Sequence, residues 1–403
     1  MDHYTSTLAQ RAHPTDSWIE AMRKRFPVER AIDETFTLKL HKRNKSTEHS
    51  MDFANLQNLL FDFLVKETGQ QNLLVENLKR LSGGASKEQF TFDLTWSPEG
   101  SKGQTKQALM VRMDPTESIV ETHRLREWQS LSAMYGEVPV PKVMWLDAKG
   151  ENLGRPAMIA EFLEGTVRPE SDDEKMSGVG MYFNPELRGA LKGQFVDILA
   201  KIHALDWRKK DLSTFDVPEA NSTQAVEWAL NLWERAWQED TLYAHPIMDY
   251  AAVWLRENMP IVEQAVIVHG DYRSGNFMYD DDLNINAIFD WELAYLGDFH
   301  DDLAWATLSL FGGPDEHGEG LASSLMPTEE LLQLYEQASG FTVDPERLFY
   351  YHVFSYYKIA VITAATSLRV AYSKKTHLDA MMNLASGLGY LGISELNRML
   401  EKA

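Results

Sequence analysis

Three oxygen-bearing side chains stand where this sequence could carry out chemistry. Asp271 ends a His-Gly-Asp tripeptide, Asn276 follows it by five residues, and Asp290 comes after a further short apolar run. Two carboxylates and an amide oxygen provide hard ligands for magnesium together with one general base. Phosphoryl transfer needs such a set, because the protein must chiefly position the reactants and neutralise phosphate charge. The three residues therefore indicate phosphoryl transfer.

Short predicted strands position these residues. The apolar run 265–268 ends directly before the tripeptide, and the run 286–289 ends directly before Asp290. Helical patterns at 186–205 and 224–258 precede the first run, and helices broken by a glycine-rich loop follow the second. We therefore expect the chemistry to lie in a mainly helical region.

The preceding region has the pattern of a sheet. Alternate residues from Phe90 to Trp96 are apolar, which is the period of a half-buried strand. The predicted elements are helices at 53–66 and 116–135 and strands at 73–81, 90–96, 108–111, 143–146 and 157–163. The sequence thus predicts an antiparallel five-stranded sheet followed by a larger helical part.

The composition excludes several classes of function. The 403 residues include 60 acidic and 39 basic side chains, and the net charge of −21 would repel a nucleic-acid backbone. The absence of cysteine excludes disulfides, thiolate metal sites and a cysteine nucleophile. Neither a secretory signal nor about 20 consecutive apolar residues for a membrane span is found in the sequence. We expect a cytoplasmic protein without nucleic-acid or membrane partners.

The segment HGDYRSGN, with IFDWE after it, resembles the catalytic segments of the kinase-like phosphotransferases. These are the aminoglycoside phosphotransferases, the choline kinases and, more remotely, the protein kinases. The resemblance covers nearly all of the chain after Gln71 and is nearest to members associated with acyl-CoA dehydrogenases. It implies ATP and Mg²⁺ as cofactors, with Asp271 as the base and Asn276 and Asp290 as metal ligands. Trp291 and Glu292 depart from the Asp-Phe-Gly tripeptide of protein kinases.

The resemblance also implies a fold class and a division of the chain. We expect an α+β, bilobal, protein-kinase-like fold. Residues 1–50 would form an N-terminal helical extension and linker, because two short helical patterns precede the polar, basic segment KLHKRNKSTEH. Residues 51–163 would form the nucleotide-binding N-lobe. Residues 164–403 would form the C-lobe, with the catalytic loop, the metal site and the substrate pocket.

Three further residues around the catalytic loop have predicted roles. Arg273 would stabilise the γ-phosphoryl oxygens through its planar donor fork, and the alternative is a salt bridge within the loop. His269 is expected to hydrogen-bond the backbone near the metal carboxylate rather than bind magnesium. Asp302 is expected to brace the catalytic loop or cap its own helix.

The nucleotide would be held by the N-lobe. In the glycine loop between two strands, the backbone of Ser82, Gly83, Gly84, Ala85 and Ser86 would approach the phosphates. Arg112, at the end of the third strand, would replace the usual phosphate-binding lysine, with Lys106 as the reserve candidate, and Glu127 would be its partner carboxylate. The backbone of the hinge residues Glu161, Phe162 and Leu163 would meet the adenine edge.

The predicted reaction is transfer of phosphate from ATP to a hydroxyl of a small molecule. Basic and aromatic residues of the C-terminal helices favour an apolar or carboxylate-bearing alcohol, such as a hydroxy acid or its thioester. The basic residues are Lys358, Arg369, Lys374 and Lys375, and the aromatic ones are Tyr350, Tyr351, Phe354, Tyr356 and Tyr357. Alternatively, the aromatic residues belong to the core and the bases are solvated.

Other functions stay open at this point. An aminoglycoside kinase would use carboxylates to line its pocket, and the net charge could supply them. A pseudokinase would bind nucleotide and transfer nothing. The segment GDFHDD, residues 297–302, imitates the start of a metal-dependent phosphoesterase motif.

Overall fold

The structure is a computed structural model that describes residues 7–43, 53–81, 87–98, 100, 103–169, 181–373 and 379–403. The first four helices are α1 (Leu8–Ala12), α2 (Asp16–Arg25), α3 (Arg30–Arg43) and α4 (Phe53–Thr68). Among the helices within these ranges, none is long and apolar enough to cross a membrane.

A five-stranded antiparallel sheet follows α4. Its strands are β1 (Leu74–Arg80), β2 (Glu88–Trp96), β3 (Thr105–Met113), β4 (Val143–Asp147) and β5 (Ala157–Glu161), in the spatial order β1-β2-β3-β5-β4. The prediction of such a sheet is confirmed. β3 begins three residues earlier than expected, because the polar residues from Thr105 to Gln107 pair with the end of β2 and carry no apolar signal.

Apolar and polar side chains alternate along β3, so the two faces of the sheet make different contacts. Leu109 and Val111 belong to a core cluster that also contains Leu60 and Phe63 of α4. Because neighbouring side chains in a strand point to opposite faces, Arg112 points away from that cluster. Its ion pair with Glu127 shows that this face meets the helix after β3. The sheet therefore buries one face on α4 and presents Arg112 on the other.

The rest of the chain is mainly helical. The helices are α5 (Arg124–Met134), α6 (Pro185–Ala204), α7 (Gln224–Asp240), α8 (Pro246–Glu257), α9 (His300–Ala306), α10 (Thr328–Ser339), α11 (Pro345–Val361), α12 (Ser367–Ser373) and α13 (Asp379–Leu400). Short antiparallel pairs join β6 (Val266–Val268) to β9 (Tyr295–Gly297), β7 (Phe277–Tyr279) to β8 (Ile285–Ile288), and β10 (Gly313–Pro314) to β11 (Gly320–Leu321).

Several predicted boundaries were wrong. The basic segment assigned to a linker is helical up to Arg43, because Lys39 is buried against Glu239 at 2.6 Å. The helix expected at 116–135 begins only at Arg124, where the His123 side chain accepts a hydrogen bond from the helix and caps it. The block 224–258 is two helices, and Pro246 starts the second at a position that suits proline.

The apolar stretch 348–372 is not one continuous α-helix. It contains most of α11, a π-helical turn at Ile362–Thr366 and α12. Tyr350, Tyr351 and Phe354 belong to the main hydrophobic core. The alternative that places these aromatic residues in the core is therefore the correct one.

Candidate active site

The catalytic loop connects β6 to β7 and is fixed by a buried carboxylate. Oδ2 of Asp302 accepts hydrogen bonds from the His269 amide (2.7 Å) and the His203 ring (3.1 Å), and Oδ1 accepts one from the Gly270 amide (2.9 Å). The predicted bracing role of Asp302 is confirmed. Gly270 has φ +84°, and a Cβ there would lie 2.7 Å from the Leu293 carbonyl oxygen, so only glycine fits this turn.

His269 is a scaffold residue of the loop. Its Nδ1 accepts a hydrogen bond from the Asp271 amide (3.2 Å), so Nε2 carries the proton and donates it to the Phe289 carbonyl (2.9 Å). Burial lowers the pKa of His269 and favours this neutral form. Because Phe289 directly precedes Asp290, the contact agrees with the expected role.

Asp271 is held by three side chains. Its Oδ1 accepts from Nε of Arg273 (2.7 Å) and from the indole Nε1 of Trp305 (2.6 Å). Its Oδ2 accepts from Nδ2 of Asn276 (2.6 Å), and Nη2 of Arg273 lies 3.4 Å away. The Asp271 side chain keeps 14% of its surface exposed. Asp271 is thus fixed in orientation while it retains access to solvent.

The β7–β8 hairpin brings Asn276 and Asp290 to the same place. Phe277 pairs with Ile288, and the Phe289 amide donates to the Asn276 carbonyl (2.8 Å), so the residue before β7 lies opposite the residues after β8. The Asn276 amide nitrogen is occupied by Asp271, which leaves Oδ1 as its ligand atom. Asp290 has φ +67° and ψ +51°, a left-handed conformation that costs energy for a non-glycine residue.

Arg112 lies between the sheet and Asp290. Its Nε is 2.8 Å from Glu127 on α5, and its Nη2 donates to Asp290 and, at 3.2 Å, to Glu292. Burial disfavours the charged guanidinium, but the three carboxylates raise its pKa above the ordinary value. The structure therefore brings together the predicted residues Arg112, Glu127 and Asp290.

Further charged residues around Arg112 were not predicted from the sequence. Nζ of Lys87 is completely buried, donates to Thr122 (2.7 Å) and lies 3.3 Å from Glu292 and 3.4 Å from Asp114. Arg124 joins Asp114 to Glu127. Two sequence signals were available, since Asp114 and Arg112 are two residues apart, as are Glu292 and Asp290. We call these seven residues the interlobe network: Lys87, Arg112, Asp114, Arg124, Glu127, Asp290 and Glu292.

The remaining predicted nucleotide contacts are less completely described. The predicted glycine loop, Ser82, Gly83, Gly84, Ala85 and Ser86, lies outside the described residues. Glu161 ends β5, and Phe162 and Leu163 follow it. The amides of Glu161 and Phe162 donate to the carbonyls of Lys142 (2.9 Å) and Ala108 (3.2 Å). Lys106 does not join the interlobe network and pairs with Asp93 at 3.0 Å with half of its side chain exposed.

Of the two described residues predicted at a basic rim of the substrate pocket, Lys358 lines the cleft described below and Arg369 does not, and both are ion-paired. Lys358 is buried, 2.7 Å from Asp301, and packs over the Trp305 ring. Arg369 pairs with Glu117 (3.1 Å) and Asp240 (3.0 Å). Both cations are neutralised by carboxylates that lie far away in sequence, which local pattern could not reveal. Lys374 and Lys375 lie outside the described residues.

A cleft opens beside the catalytic loop. It reaches Gly270, Glu292 and the segment after Glu292, whereas Asp271, Asn276 and Asp290 are not among its lining residues. Its apolar side chains come from the start of α3, the loop before α5, α7 and this segment; they include Ile32, Val120, Trp228, Leu232, Trp233 and Leu293.

The charges that line this cleft are mostly paired. Arg126 holds Glu29 through two 2.7 Å hydrogen bonds, and Lys358 holds Asp301. Glu121 has no hydrogen bond or ion pair within the described part of the chain. Burial raises its pKa, against the opposing charge of Arg369 and other cations.

Arg126 joins four separate segments. Besides binding Glu29 of the N-terminal segment, it donates to the carbonyls of Ala294 (3.0 Å) and Thr214 (3.1 Å). Its guanidinium lies 3.7 Å from the centre of the Phe215 ring. Arg126 neighbours Glu127 on α5, so the wall of the cleft and the partner of Arg112 are carried by one helix.

The residues of the phosphoesterase-like segment are used in hydrogen bonds of the fold. Nδ1 of His300 is 2.6 Å from Asp298, and its Nε2 accepts from the Asp344 amide (2.9 Å). In the described part of the chain, no group of three or more His, Cys, Asp or Glu side chains is arranged to hold a metal ion. A site built from Asn276 and Asp290 is of a different kind, because one of its ligands is an amide.

Comparison with known proteins identifies relatives of this arrangement. A family model described as "Phosphotransferase enzyme family" matches residues 77–348. Acyl-CoA dehydrogenase family member 11 of Rattus norvegicus is 24% identical over 309 residues, which are 73% of this chain and 38% of that protein. Family member 10 of Mus musculus is 24% identical over 269 residues, which are 63% of this chain and 24% of that protein. The chain thus spans well under half the length of these curated relatives.

Solved structures share the fold. A Ralstonia eutropha protein assigned to the aminoglycoside phosphotransferases has a TM-score of 0.63 at 22% identity, covering 86% of this chain and 98% of that one. Choline kinase LicA of Streptococcus pneumoniae has a TM-score of 0.54 at 14% identity, covering 87% and 100%. The predicted α+β, kinase-like fold class is confirmed.

Proposed function

This chain belongs to the phosphotransferase enzyme family, and we propose that it transfers the γ-phosphoryl group of ATP, with Mg²⁺, to a hydroxyl group of a small molecule. The main observation behind the proposal is the 2.6 Å hydrogen bond from Asn276 to Asp271. Asn276 directly precedes the β7–β8 hairpin, and Asp290 follows it. A base and two oxygen ligands at one point are the parts that phosphoryl transfer requires.

Asn276 and Asp290 would hold the Mg²⁺ ion. The donor set fits, because Asn276 has its amide oxygen free of the Asp271 contact and Asp290 keeps about a quarter of its side chain exposed. When bound, magnesium neutralises phosphate charge. The chain itself contributes the orientation of both ligands, through the hairpin and the left-handed backbone of Asp290.

Arg112 would neutralise the α- and β-phosphates, as the kinase lysine does, and Glu127 would hold it. Their ion pair on the face of the sheet away from α4 supports this assignment. The loop from Ser82 to Ser86 would cover the phosphates, and the backbone from Glu161 to Leu163 would meet the adenine. For Arg273, the ion pair with Asp271 favours a role inside the loop over contact with the γ-phosphate.

The acceptor alcohol would enter the cleft beside Gly270. Its apolar walls support an apolar acceptor, and the names of the curated relatives point to acyl-CoA chemistry. An acceptor with a free carboxylate would find Arg126 and Lys358 already paired and would lie near Glu121. We therefore favour a hydroxyacyl thioester or another uncharged apolar alcohol over a free hydroxy acid, and over a polycationic aminoglycoside.

An ATP-consumption screen with magnesium tests this function. The acceptors are hydroxyacyl thioesters, the matching free hydroxy acids, amino alcohols and aminoglycosides. Asp271→Ala should abolish acceptor phosphorylation and leave thermal stabilisation by ATP intact, whereas Asp281→Ala, at an exposed aspartate in the hairpin turn, should change neither. Full turnover by Asp271→Ala would remove Asp271 from its role. Stabilisation by ATP without any product would indicate a pseudokinase.

Glu121 offers a test of acceptor charge. If its carboxyl group disfavours anionic acceptors, Glu121→Gln should lower the KM for a free hydroxy acid by roughly fivefold to tenfold while that of the thioester stays unchanged. Equal effects on both acceptors would argue against this part of the proposal.

A further inference from the structure

A tryptophan touches the proposed base. Nε1 of Trp305 donates a 2.6 Å hydrogen bond to Oδ1 of Asp271. Trp305 lies on α9 and is 4% exposed. Its ring is held by Lys358, 4.7 Å from the ring centre, and by Phe311, at 5.1 Å between ring centres. The indole donor therefore has one defined position.

The same short helix fixes the catalytic loop twice. Asp302 holds the amides of His269 and Gly270, and Trp305, three residues later on the same side of α9, holds the carboxylate of Asp271. The loop backbone and the Asp271 side chain are thus both anchored to α9.

The hydrogen bonds of Asp271 distinguish its two oxygens. A carboxylate offers about four lone-pair positions, two on each oxygen. On Oδ1, both are used by Trp305 and Arg273, at 2.6 and 2.7 Å. On Oδ2, Asn276 uses one, and the other is approached only by Arg273 Nη2 at 3.4 Å. Because this hydrogen bond is long and therefore weak, Oδ2 is the oxygen whose second lone pair is more easily freed for a proton.

We propose that Trp305 is a positioning residue that, together with Arg273, saturates Oδ1 of Asp271 and so makes Oδ2 the atom that receives the acceptor proton. The inference rests on the proposed function. In that step the hydroxyl proton moves to Oδ2, the hydroxyl oxygen bonds to the γ-phosphorus, and the bond from the γ-phosphorus to ADP breaks. Without the indole donor, only Arg273 and Asn276 hold the carboxylate, and Oδ1 gains a free lone pair that competes with Oδ2 for the proton.

The test removes only the donor. Replacing Trp305 with 3-benzothienylalanine keeps the bicyclic ring and substitutes sulfur for the N–H group. Trp305→Phe is the simpler variant. The matched control is Trp207→Phe, because that buried indole also donates one hydrogen bond, to the Ala265 carbonyl (2.9 Å), away from the site. Both changes at position 305 should lower kcat by roughly tenfold to a hundredfold, since the lost bond is to a charged group.

The KM for ATP and thermal stabilisation by ATP should stay within about twofold of wild type in all variants, because Trp305 acts on the base and not on nucleotide binding. A benzothienylalanine variant with the kcat of wild type overturns the inference and leaves the proposed function standing. A wild-type protein that phosphorylates no acceptor overturns both. If Trp305→Phe does not fold, the benzothienylalanine variant, which preserves the packing, carries the test.

Discussion

Two buried groups of charges in this protein differ in their balance. Among the described residues, the interlobe network has three cations and four carboxylates, and Asp290, with 27% of its side chain exposed, is its most open member. A second group, the N-terminal network, ties α3 to α7 and α12. It consists of Lys39, Arg43, Arg235, Arg369, Asp33, Glu117, Glu239 and Asp240, four of each sign.

Net charge and exposure, rather than burial, distinguish the two groups. Burial of charge is common to both groups, and both perturb pKa values, so neither property identifies a site. The N-terminal network has as many cations as carboxylates. Its central carboxylate, Asp240, is fully paired and only 1% exposed. The interlobe network has a surplus carboxylate that faces open space, which is what an added cation requires.

The largest effect should come from breaking the balanced group. Asp240→Ala leaves Lys39, Arg43 and Arg369 without their shared carboxylate, so we expect a loss of about 3–5 kcal/mol in the free energy of unfolding. Urea titration measures it, with Asp206→Ala, in an exposed pair with Lys209, as the control. A loss as small as that of the control would show that the N-terminal network does not support the fold.

A smaller effect, measured as the transition-state free energy of ATP use, should come from the interlobe network. Arg112→Met removes a cation that touches three carboxylates, so kcat/KM for ATP should fall by roughly a hundredfold through lost phosphate neutralisation. The kcat/KM of Arg112→Lys, which keeps the charge but not the planar donor fork, should lie between those of Arg112→Met and wild type. Steady-state kinetics with varied ATP measures both, and unchanged kinetics in Arg112→Met would exclude it as the phosphate-binding residue.

Acid should reveal the interlobe carboxylates. Burial opposes ionisation of Asp114, but the charge of Arg124 and then of Lys87 lowers its pKa to about 2. A carboxyl group with a lowered pKa stabilises the fold above its ordinary pKa of about 3.9, and this contribution is lost as the pH falls towards 2. Between pH 5 and pH 2, the free energy of unfolding should therefore fall less in Asp114→Asn than in wild type, by on the order of 2 kcal/mol. Urea titration at each pH measures it. Parallel curves would contradict the assignment.

The smallest effect should come from a charge outside both groups. Lys106→Met loses an exposed pair with Asp93, so the free energy of unfolding should be unchanged within the error of the measurement, and ATP kinetics should stay as in wild type. A marked loss of ATP use would make Lys106 the phosphate-binding residue in place of Arg112.

Much of the architecture could be predicted from local pattern. The alternation from Phe90 to Trp96 and the helical period at 53–66 reported real elements, because one face of each is buried on the other. β7 and β9 were not predicted, since three residues are too few to show a period; β6 is equally short and was recognised because its apolar run ends directly before the His-Gly-Asp tripeptide. The break between α7 and α8 was signalled by Pro246 and was overlooked.

The candidate site was predictable where the residues are close in sequence. Asp271, Asn276 and Asp290 share one segment and one hairpin, so spacing alone brings them together. Lys87, Trp305 and the partners of Arg369 meet only through the tertiary fold, over separations that range from 27 residues for Lys87–Asp114 to 252 for Glu117–Arg369. The misjudged basic rim has the same cause, because the carboxylates that neutralise it are invisible to composition.

The four-way junction at Arg126 makes the first helices inseparable from the rest of the molecule. A shortened protein that begins at residue 53 would lose Glu29 and leave the Arg126 guanidinium in the interior without its carboxylate. Such a fragment should unfold or aggregate on its own, and a synthetic peptide of residues 7–43 should rescue it when added in trans. The N-terminal helices would then fold together with the rest of the molecule as one cooperative unit.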